Sequence, residues 1–201
     1  MSDLELLAQW RAGDQAAGSA LFKKHFRPLY RFFRSKVSTG VEDLVQDTLL
    51  ACVSGRDRIR EDASFRAYLF GTARLLLLGH YRKKGRDCDF TQASVADLSP
   101  GAGTVIAKQQ QDRLILEAMR SLPMDYQIAV ELHDYEGMTA PEIVVVLDVP
   151  EGTVRSRIRR GRIQLREKLE ELAGSSEEVQ STMTRLEDWA QDLRDKVLGP
   201  K

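Results

Sequence analysis

TAPEIVVVLDVPEGTVRSRIRRGRIQLREKL, residues 139–169, is the stretch around which the rest of the chain is organised. Thr139 and Glu142 have the spacing of a capping box, which predicts a helix start. Pro141 falls in the first turn of that helix, where its missing N–H would have no partner in any case. Ile143, Val144 and Leu147 then share one face. Pro150 biases Val149 away from helical geometry, so a break is expected at Asp148–Pro150. A second helix follows, with Val154, Ile158, Leu165 and Leu169 as its apolar stripe and Gly161 filling the gap in that stripe. Its other faces carry Arg155, Arg157, Arg159, Arg160, Arg162, Arg166 and Lys168. A short helix, a tight turn and a basic second helix make a helix-turn-helix, whose second helix can lie in the major groove with its N-terminal side chains on base edges. A merely solvated face usually mixes signs, whereas Thr153 to Lys168 holds seven basic residues and one acidic residue, Glu167.

The 201 residues are enough for one domain or two small ones, and a charged fraction of 30% beside 42% hydrophobic residues is ordinary for a soluble globular protein. Formal net charge is zero, so a nucleic-acid footprint must be local. The tail after Gly174 is biased the opposite way to the basic helix, with six acids and four bases. No apolar run approaches a membrane span, and MSDLELLAQW lacks the basic segment and apolar core of a secretory signal, so a cytoplasmic protein without membrane insertion is expected. Cys52 and Cys88 have no neighbouring Cys or His, which favours a buried Cys52 and an exposed Cys88 over a disulfide or metal site. No cofactor is expected.

In chain order, Leu4, Leu7 and Trp10 predict a short helix over 3–12. Leu21, Phe22, Phe26, Leu29, Phe33 and Val37 form a long apolar stripe, read as core, with a kink or break expected at Pro28. A third helix over 41–53 buries Val41, Leu44, Val45, Thr48, Leu49 and Cys52 and turns Glu42, Asp43, Gln46 and Asp47 outward. No His accompanies these acids, so they are read as solvated or held for a basic partner rather than catalytic. Residues 54–63 are a charged loop, and Ser64 can cap a helix reaching about residue 84. That helix ends in His80, Tyr81, Arg82, Lys83 and Lys84, with Arg86 beyond. Cations there suit the helix dipole, and an aromatic among cations equally suits a single-stranded nucleic-acid platform. Residues 87–111, rich in Ser, Gly, Ala and Gln, read as a linker with a short helix near its end. Helical pattern resumes at Asp112, breaks at Pro123 and continues to Glu136–Gly137. Residues 175–201 carry Val179, Met183, Leu186, Ala190, Leu193 and Val197 at helical spacing, an amphipathic helix able to pack back on a lobe or bind a partner. With no strand pattern anywhere, the expected fold is all-α. It has two helical lobes, 1–86 and 112–172, a flexible linker over 87–111 and a C-terminal helical extension over 173–201.

Three stretches, LLAQWRAGDQAAGSALFKKHFRPLYRF, EDLVQDTLLA with ASFRAYLFGTARLLLLGHYRKKGR, and SLPMDYQIAVELHDYEGMTAPEIVVVLDVPEGTVRSRIRRGRIQLREKL, occur in an order and spacing that resembles the sigma-70 family of bacterial RNA polymerase sigma factors, in its extracytoplasmic function (ECF) group. The resemblance covers about residues 3–172. It implies that Asp43, Leu44, Gln46 and Asp47 grip the clamp helices of core RNA polymerase. It implies that residues 56–84 open and read the promoter minus-10 element, with a flipped base bordered by the 56–63 loop and with Arg74, Tyr81, Arg82 and Lys83 following the backbone and stacking. It implies that Thr153, Arg155, Ser156, Arg159 and Arg160 meet the minus-35 element in the major groove. The implied partners are core RNA polymerase, promoter DNA and an anti-sigma factor; the chain itself is no enzyme. Leu75 stands where the family usually has Asn, Val144 and Gly161 where it has Ala, and Asp148 at the usual turn Gly, a position Asp tolerates.

Two other readings remain open to the sequence. A stand-alone helix-turn-helix regulator would use the C-terminal lobe on DNA and the N-terminal lobe for a protein or a signal; EDLVQD argues against it. A phosphate-handling enzyme built on the acidic helix lacks a glycine-rich phosphate loop, a metal-ligand cluster and a nucleophile–base pair.

Overall fold

The computed structural model describes residues 1–59, 64–85, 89–98 and 110–173. They form α1 (Asp3–Arg11), α2 (Gln15–Arg34), α3 (Val41–Ser54), a 3-10 turn (Arg56–Arg58), α4 (Phe65–Lys83), α5 (Val95–Leu98), α6 (Gln110–Ser121), α7 (Met124–Val130) with a π-helical turn (Glu131–Tyr135), α8 (Ala140–Leu147) and α9 (Glu151–Leu172). The only β pairing among the described residues is an isolated antiparallel bridge between Ser94 and Pro123. The all-α expectation holds.

Local chemistry sets the helix starts. The Ser2 hydroxyl and the Glu5 carboxylate form a capping box on α1, Asp14 accepts from the amides of Ala16 and Ala17 on α2, and Ser64 accepts from Ala67 N–H on α4. The capping box expected on α8 is present, with Thr139 N–H donating to Glu142 at 2.9 Å and Glu142 N–H donating to the Thr139 hydroxyl at 3.4 Å. Asp148 closes α8 in the left-handed region, at φ 52° and ψ 51°, so the tight turn of the helix-turn-helix forms without glycine.

Of the kink or break expected at Pro28, the break does not occur: α2 runs unbroken through it. Leu21 on one side of the proline and Leu29, Phe32 and Phe33 on the other are buried, and that packing offsets an interior proline's cost of about 3 kcal/mol. Phe26, assigned to the core by the same stripe, is 46% exposed. Arg157, read as part of the basic surface of α9, is buried.

Helices α1–α4 form the first lobe and α6–α9 the second, and the lobes are packed together, with α4 lying against α8. One apolar core runs across the boundary, from Leu7, Phe33, Phe65 and Leu77 to Ile143, Val146, Val154 and Ile158. A smaller core joins Ile115, Ala118 and Met119 of α6, and Leu122 just after it, to Val130, Tyr135, Leu165 and Leu169. Of the stretch read as linker, residues 89–98 pack onto the start of α7. Phe90 and Val95 are buried, and the carbonyls of Ala93 and Phe90 accept from Met124 N–H and Asp125 N–H, each at 2.9 Å. Pro123, at the N-cap of α7, offers no side-chain cap, so these carbonyls satisfy first-turn amides that would otherwise lack partners. Residues 99–109, the loop 60–63 and the amphipathic extension 174–201 lie outside the described residues, as does Cys88. Cys52 is buried as expected; burial pushes its thiol up to about 12, which makes it unreactive.

The packing of α9 on α7 explains the glycine in its stripe. A Cβ at Gly161 would lie 2.7 Å from a Val130 methyl and 3.4 Å from the Tyr126 carbonyl. Gly161→Ala is therefore expected to lower stability by roughly 1 kcal/mol, overpacking outweighing the gain in helix propensity. Gly79, in α4, has open space around it, so Gly79→Ala is expected to raise stability by about 0.5–1 kcal/mol. Urea midpoints of the two variants should move in opposite directions.

Candidate nucleic-acid and partner interfaces

Helix α9 begins at Glu151, so Thr153 to Arg160 occupy its first three turns. Arg155, Arg159 and Arg160 are exposed; Thr153 and Ser156 are half-buried, and the Ser156 hydroxyl donates to the Thr153 carbonyl at 3.0 Å. Arg155 is braced by Glu151, its Nε and Nη2 donating at 2.9 and 2.6 Å. Further along, Arg162 pairs with Asp134, Arg166 with Glu170 and Lys168 with Glu171. The second half of the basic run is thus largely charge-compensated, whereas its first half presents guanidinium groups at the helix-turn-helix end. Arg157 turns inward to the Asp125 carboxylate at 3.1 Å. Its spacing signalled this, because Arg157 stands three residues after Val154 and four before Gly161, on the buried stripe.

Helix α3 carries the second set. Asp43, Gln46 and Asp47 are exposed, but Leu44 is 6% exposed and belongs to the core, so it does not reach their face. Leu50 and Val53 do, at 54% and 49% exposure. With Phe26, Tyr30, Glu42, Val45, Gln46 and Leu49 they line a groove of about 300 Å³ between α2 and α3. Phe26 and Tyr30 stack along it, ring centroids 6.3 Å apart, and the Tyr30 hydroxyl donates to Glu42 at 3.3 Å. Sequence reading missed this groove. The available signal was that Leu50 and Val53 fall outside the Val41–Leu44–Val45–Thr48–Cys52 face.

The third set is divided. Arg82 and Lys83 are exposed near the end of α4. Tyr81 is 1% exposed; its hydroxyl donates to the Lys36 carbonyl and its ring meets Phe90 edge-on at 6.1 Å, so it is not presented for stacking in this arrangement. Arg74 points across to the second lobe, where its Nε and Nη2 donate to Asp125 Oδ1 at 3.0 and 2.9 Å and Nη2 also to Oδ2 at 3.2 Å. Phe90 lies 5.7 Å from the Arg74 guanidinium. Arg74, Arg82, Asp89, Phe90 and Asp125 border a cavity of about 420 Å³ at this junction. Leu75, at the position where the resemblance has Asn, is exposed.

Further ion pairs cross between the lobes. Arg31 donates to Glu136 at 2.9 Å, and Arg66 lies 3.4 Å from both Glu142 oxygens while donating to the Glu136 carbonyl at 2.7 Å. The Ser64 hydroxyl donates to Glu142 at 2.7 Å. Lys36, fully buried, donates to the Phe32 carbonyl and the Ser35 hydroxyl, each at 3.1 Å, and pairs with Glu131. Burial pulls the Lys36 ammonium below its ordinary value, opposed by Glu131 and Glu136.

Glu142 makes the closed arrangement acid-sensitive. Burial raises its carboxyl, but the Thr139 amide, the Ser64 hydroxyl and Arg66 outweigh burial and hold it below its ordinary 4.5. A depressed folded-state value contributes stability that is fully present above the unfolded value and is lost as pH falls through the folded one. Wild type should therefore lose more stability than Glu142→Gln between about pH 7 and about pH 3.5, as read from urea midpoints.

Comparison with known proteins agrees with this geometry. Residues 21–87 match Sigma-70 region 2 and residues 112–165 match Sigma-70, region 4. The chain is 32% identical over 166 residues to the ECF RNA polymerase sigma factor SigM of Mycobacterium tuberculosis, covering 82% of this chain and 83% of that one. It is 26% identical over 185 residues to the ECF RNA polymerase sigma-E factor of Escherichia coli, covering 86% and 96%. Among solved structures it is similar to CnrH in complex with the cytosolic domain of CnrY, with a TM-score of 0.64, 26% identity and coverage of 85% and 99%. The sigma factor RpoE in complex with the anti-sigma factor NepR from Bartonella quintana shares the fold, with a TM-score of 0.60, 24% identity and coverage of 76% and 96%.

Proposed function

The chain belongs to the ECF group of the sigma-70 family, and from that premise we propose how its surfaces divide the work of a sigma factor. As a member of that group it binds core RNA polymerase and directs promoter recognition and transcription initiation. The chemistry belongs to the polymerase, and the chain supplies promoter choice and strand opening without catalysis of its own. No helix among the described residues is long and apolar enough to cross a membrane, and we assign the chain to the cytoplasm, with the polymerase.

The first lobe, 1–86, meets the polymerase clamp and the minus-10 element; the second, 112–172, meets the minus-35 element. Asp43 and Asp47 supply charge and Gln46 a hydrogen-bonding amide to the clamp contact, and the groove of Phe26, Tyr30, Leu50 and Val53 supplies apolar area beside it. Arg155, Arg159 and Arg160, with Thr153 and Ser156, take the minus-35 major groove, Arg side chains being suited both to guanine edges and to phosphates. Arg74, Arg82 and Lys83 serve the minus-10 strand once the lobes part. The observation that carries this reading is the separation of an acidic, apolar face on α3, suited to a protein partner, from a basic face at the start of α9, suited to DNA. A stand-alone regulator is not favoured, since the region 2 match accounts for the first lobe. RpoE of Bartonella quintana is solved in complex with the anti-sigma factor NepR, and we extend to this chain an anti-sigma partner of comparable kind.

The test is a pull-down of core RNA polymerase by the full chain. Capture of polymerase supports the reading. Failure of capture both by the full chain and by a chain lacking residues 175–201, with duplex DNA still bound, would favour the stand-alone regulator.

A further inference from the structure

Residues 75–78 are four leucines in a row, and α4 places them unequally. Leu77 is buried, and Leu76 and Leu78 pack against the main core, whereas Leu75 is 65% exposed. A single exposed leucine is ordinary on a protein surface. Leu75 is distinguished by what shares its side of the helix. Gly79 stands one turn later, and a Cβ built there would meet nothing within 4 Å. Arg82 and Lys83 follow after a further turn, both exposed. Spacings of i, i+4, i+7 and i+8 put the four on one side of α4. That side is an apolar knob, then a bare stretch of backbone, then two cations. Arg82 lies about 10 Å along the axis from Leu75, so a strand whose phosphates meet the cations can lay a base over Gly79 and against Leu75. Arg74 and Tyr81 lie off this side, the first held by Asp125 and the second buried.

Leucine carries no donor or acceptor, so it cannot tell bases apart by hydrogen bonds. It can favour the base whose edge offers an apolar group, the C5 methyl of thymine. We propose that Leu75 and Gly79 form a seat for a thymine of the melted strand. Leu75 selects the base by contact with its methyl, Gly79 lets it lie against the helix, and Arg82 and Lys83 hold the phosphates beyond. This seat rests on the assignment of α4 to the minus-10 element made above, and it adds which base that helix selects and by what chemistry. The Asn that the resemblance has at position 75 would select by its amide; leucine replaces that with apolar contact.

The test uses full-length chain and fluorescein-labelled single strands of about 12 nucleotides, all thymine or all uracil on the same deoxyribose backbone. The two strands differ only in the methyl. Wild type is expected to bind the thymine strand roughly fourfold tighter, the worth of one buried methyl group. Leu75→Ala should weaken the thymine strand and bring that ratio close to one, whereas Leu75→Met should keep it. Gly79→Leu fills the bare stretch and should weaken both strands by about tenfold. Its urea midpoint should not fall, because the space around Gly79 is open. A wild-type ratio near one, a ratio unchanged in Leu75→Ala, or undiminished binding by Gly79→Leu overturns the thymine seat. Wild-type affinity in Arg82→Ala/Lys83→Ala, or a wild type that binds neither strand, overturns instead the assignment of α4 to the minus-10 strand.

Discussion

The Asp43→Arg/Asp47→Arg chain is expected to lose affinity for core RNA polymerase by about a hundredfold or more while remaining folded. Both side chains are exposed on α3, and the core face of that helix, Val41, Leu44, Val45, Thr48 and Cys52, is untouched. The cost to folding is confined to the first turn, where Asp43 complements the helix dipole, and amounts to roughly 0.3–1 kcal/mol. At the interface the effect is larger, because reversal replaces two attractive contacts with a basic partner by two like-charge juxtapositions, each costing several kcal/mol. Leu50→Asp, which puts a charge into the groove without altering the acidic residues, should weaken the same interaction through its apolar part. Fluorescence anisotropy with labelled chain checks both variants against wild type, with urea unfolding as the control. Retention of affinity within about threefold by the double reversal would remove α3 from the polymerase contact.

Arg159→Ala/Arg160→Ala is expected to lower promoter affinity of the reconstituted holoenzyme by about a hundredfold, each arginine being worth roughly 1–3 kcal/mol if it reads a base and less if it holds a phosphate. The salt dependence separates the two roles. Loss of a phosphate contact makes the slope of log affinity against log salt shallower by about one, whereas loss of a base contact relaxes selectivity at one position. Both residues are exposed, so thermal stability should change little. Arg157→Ala, two residues earlier, should behave in the opposite way. It leaves Asp125 buried with one partner fewer, a change of the kind that costs about 3–5 kcal/mol, and its main effect should appear in unfolding. Filter binding across a salt series, paired with denaturation of wild type and the two variants, distinguishes these outcomes.

The contrast between Arg157 and its neighbours marks where sequence reading reached and where it stopped. Features set within a few residues were legible: the Thr139–Glu142 capping box, the left-handed Asp148, the break before Pro150, the stripe of α9. Each follows from backbone geometry that neighbouring side chains impose alone. The break that Pro28 allows does not form, because its local penalty is offset by packing with helices remote in sequence. Phe26 lies outside the core that its stripe implied, because periodicity shows that a helix has an apolar face but not which of two apolar neighbours another helix covers; Leu44 is buried as its helical spacing predicts, which opposes the polymerase contact that the resemblance implied for it. The burial of residues 89–98 against α7 escaped notice because composition alone marked them as linker, while Phe90 and Val95 fill space made by elements on both sides. Closure of the lobes was out of reach, since Arg31 and Glu136, or Arg74 and Asp125, meet across separations no local pattern encodes.

Whether this chain gives core polymerase its promoter choice is decided by transcribing fragmented genomic DNA with cognate core polymerase, with and without the chain, and mapping the 5′ ends of the transcripts. A set of start sites is expected that appears only with the chain, preceded by two shared sequence elements at a nearly constant spacing, and absent with Asp43→Arg/Asp47→Arg. Identical start sites with and without the chain, from a polymerase active with another sigma factor, would contradict it.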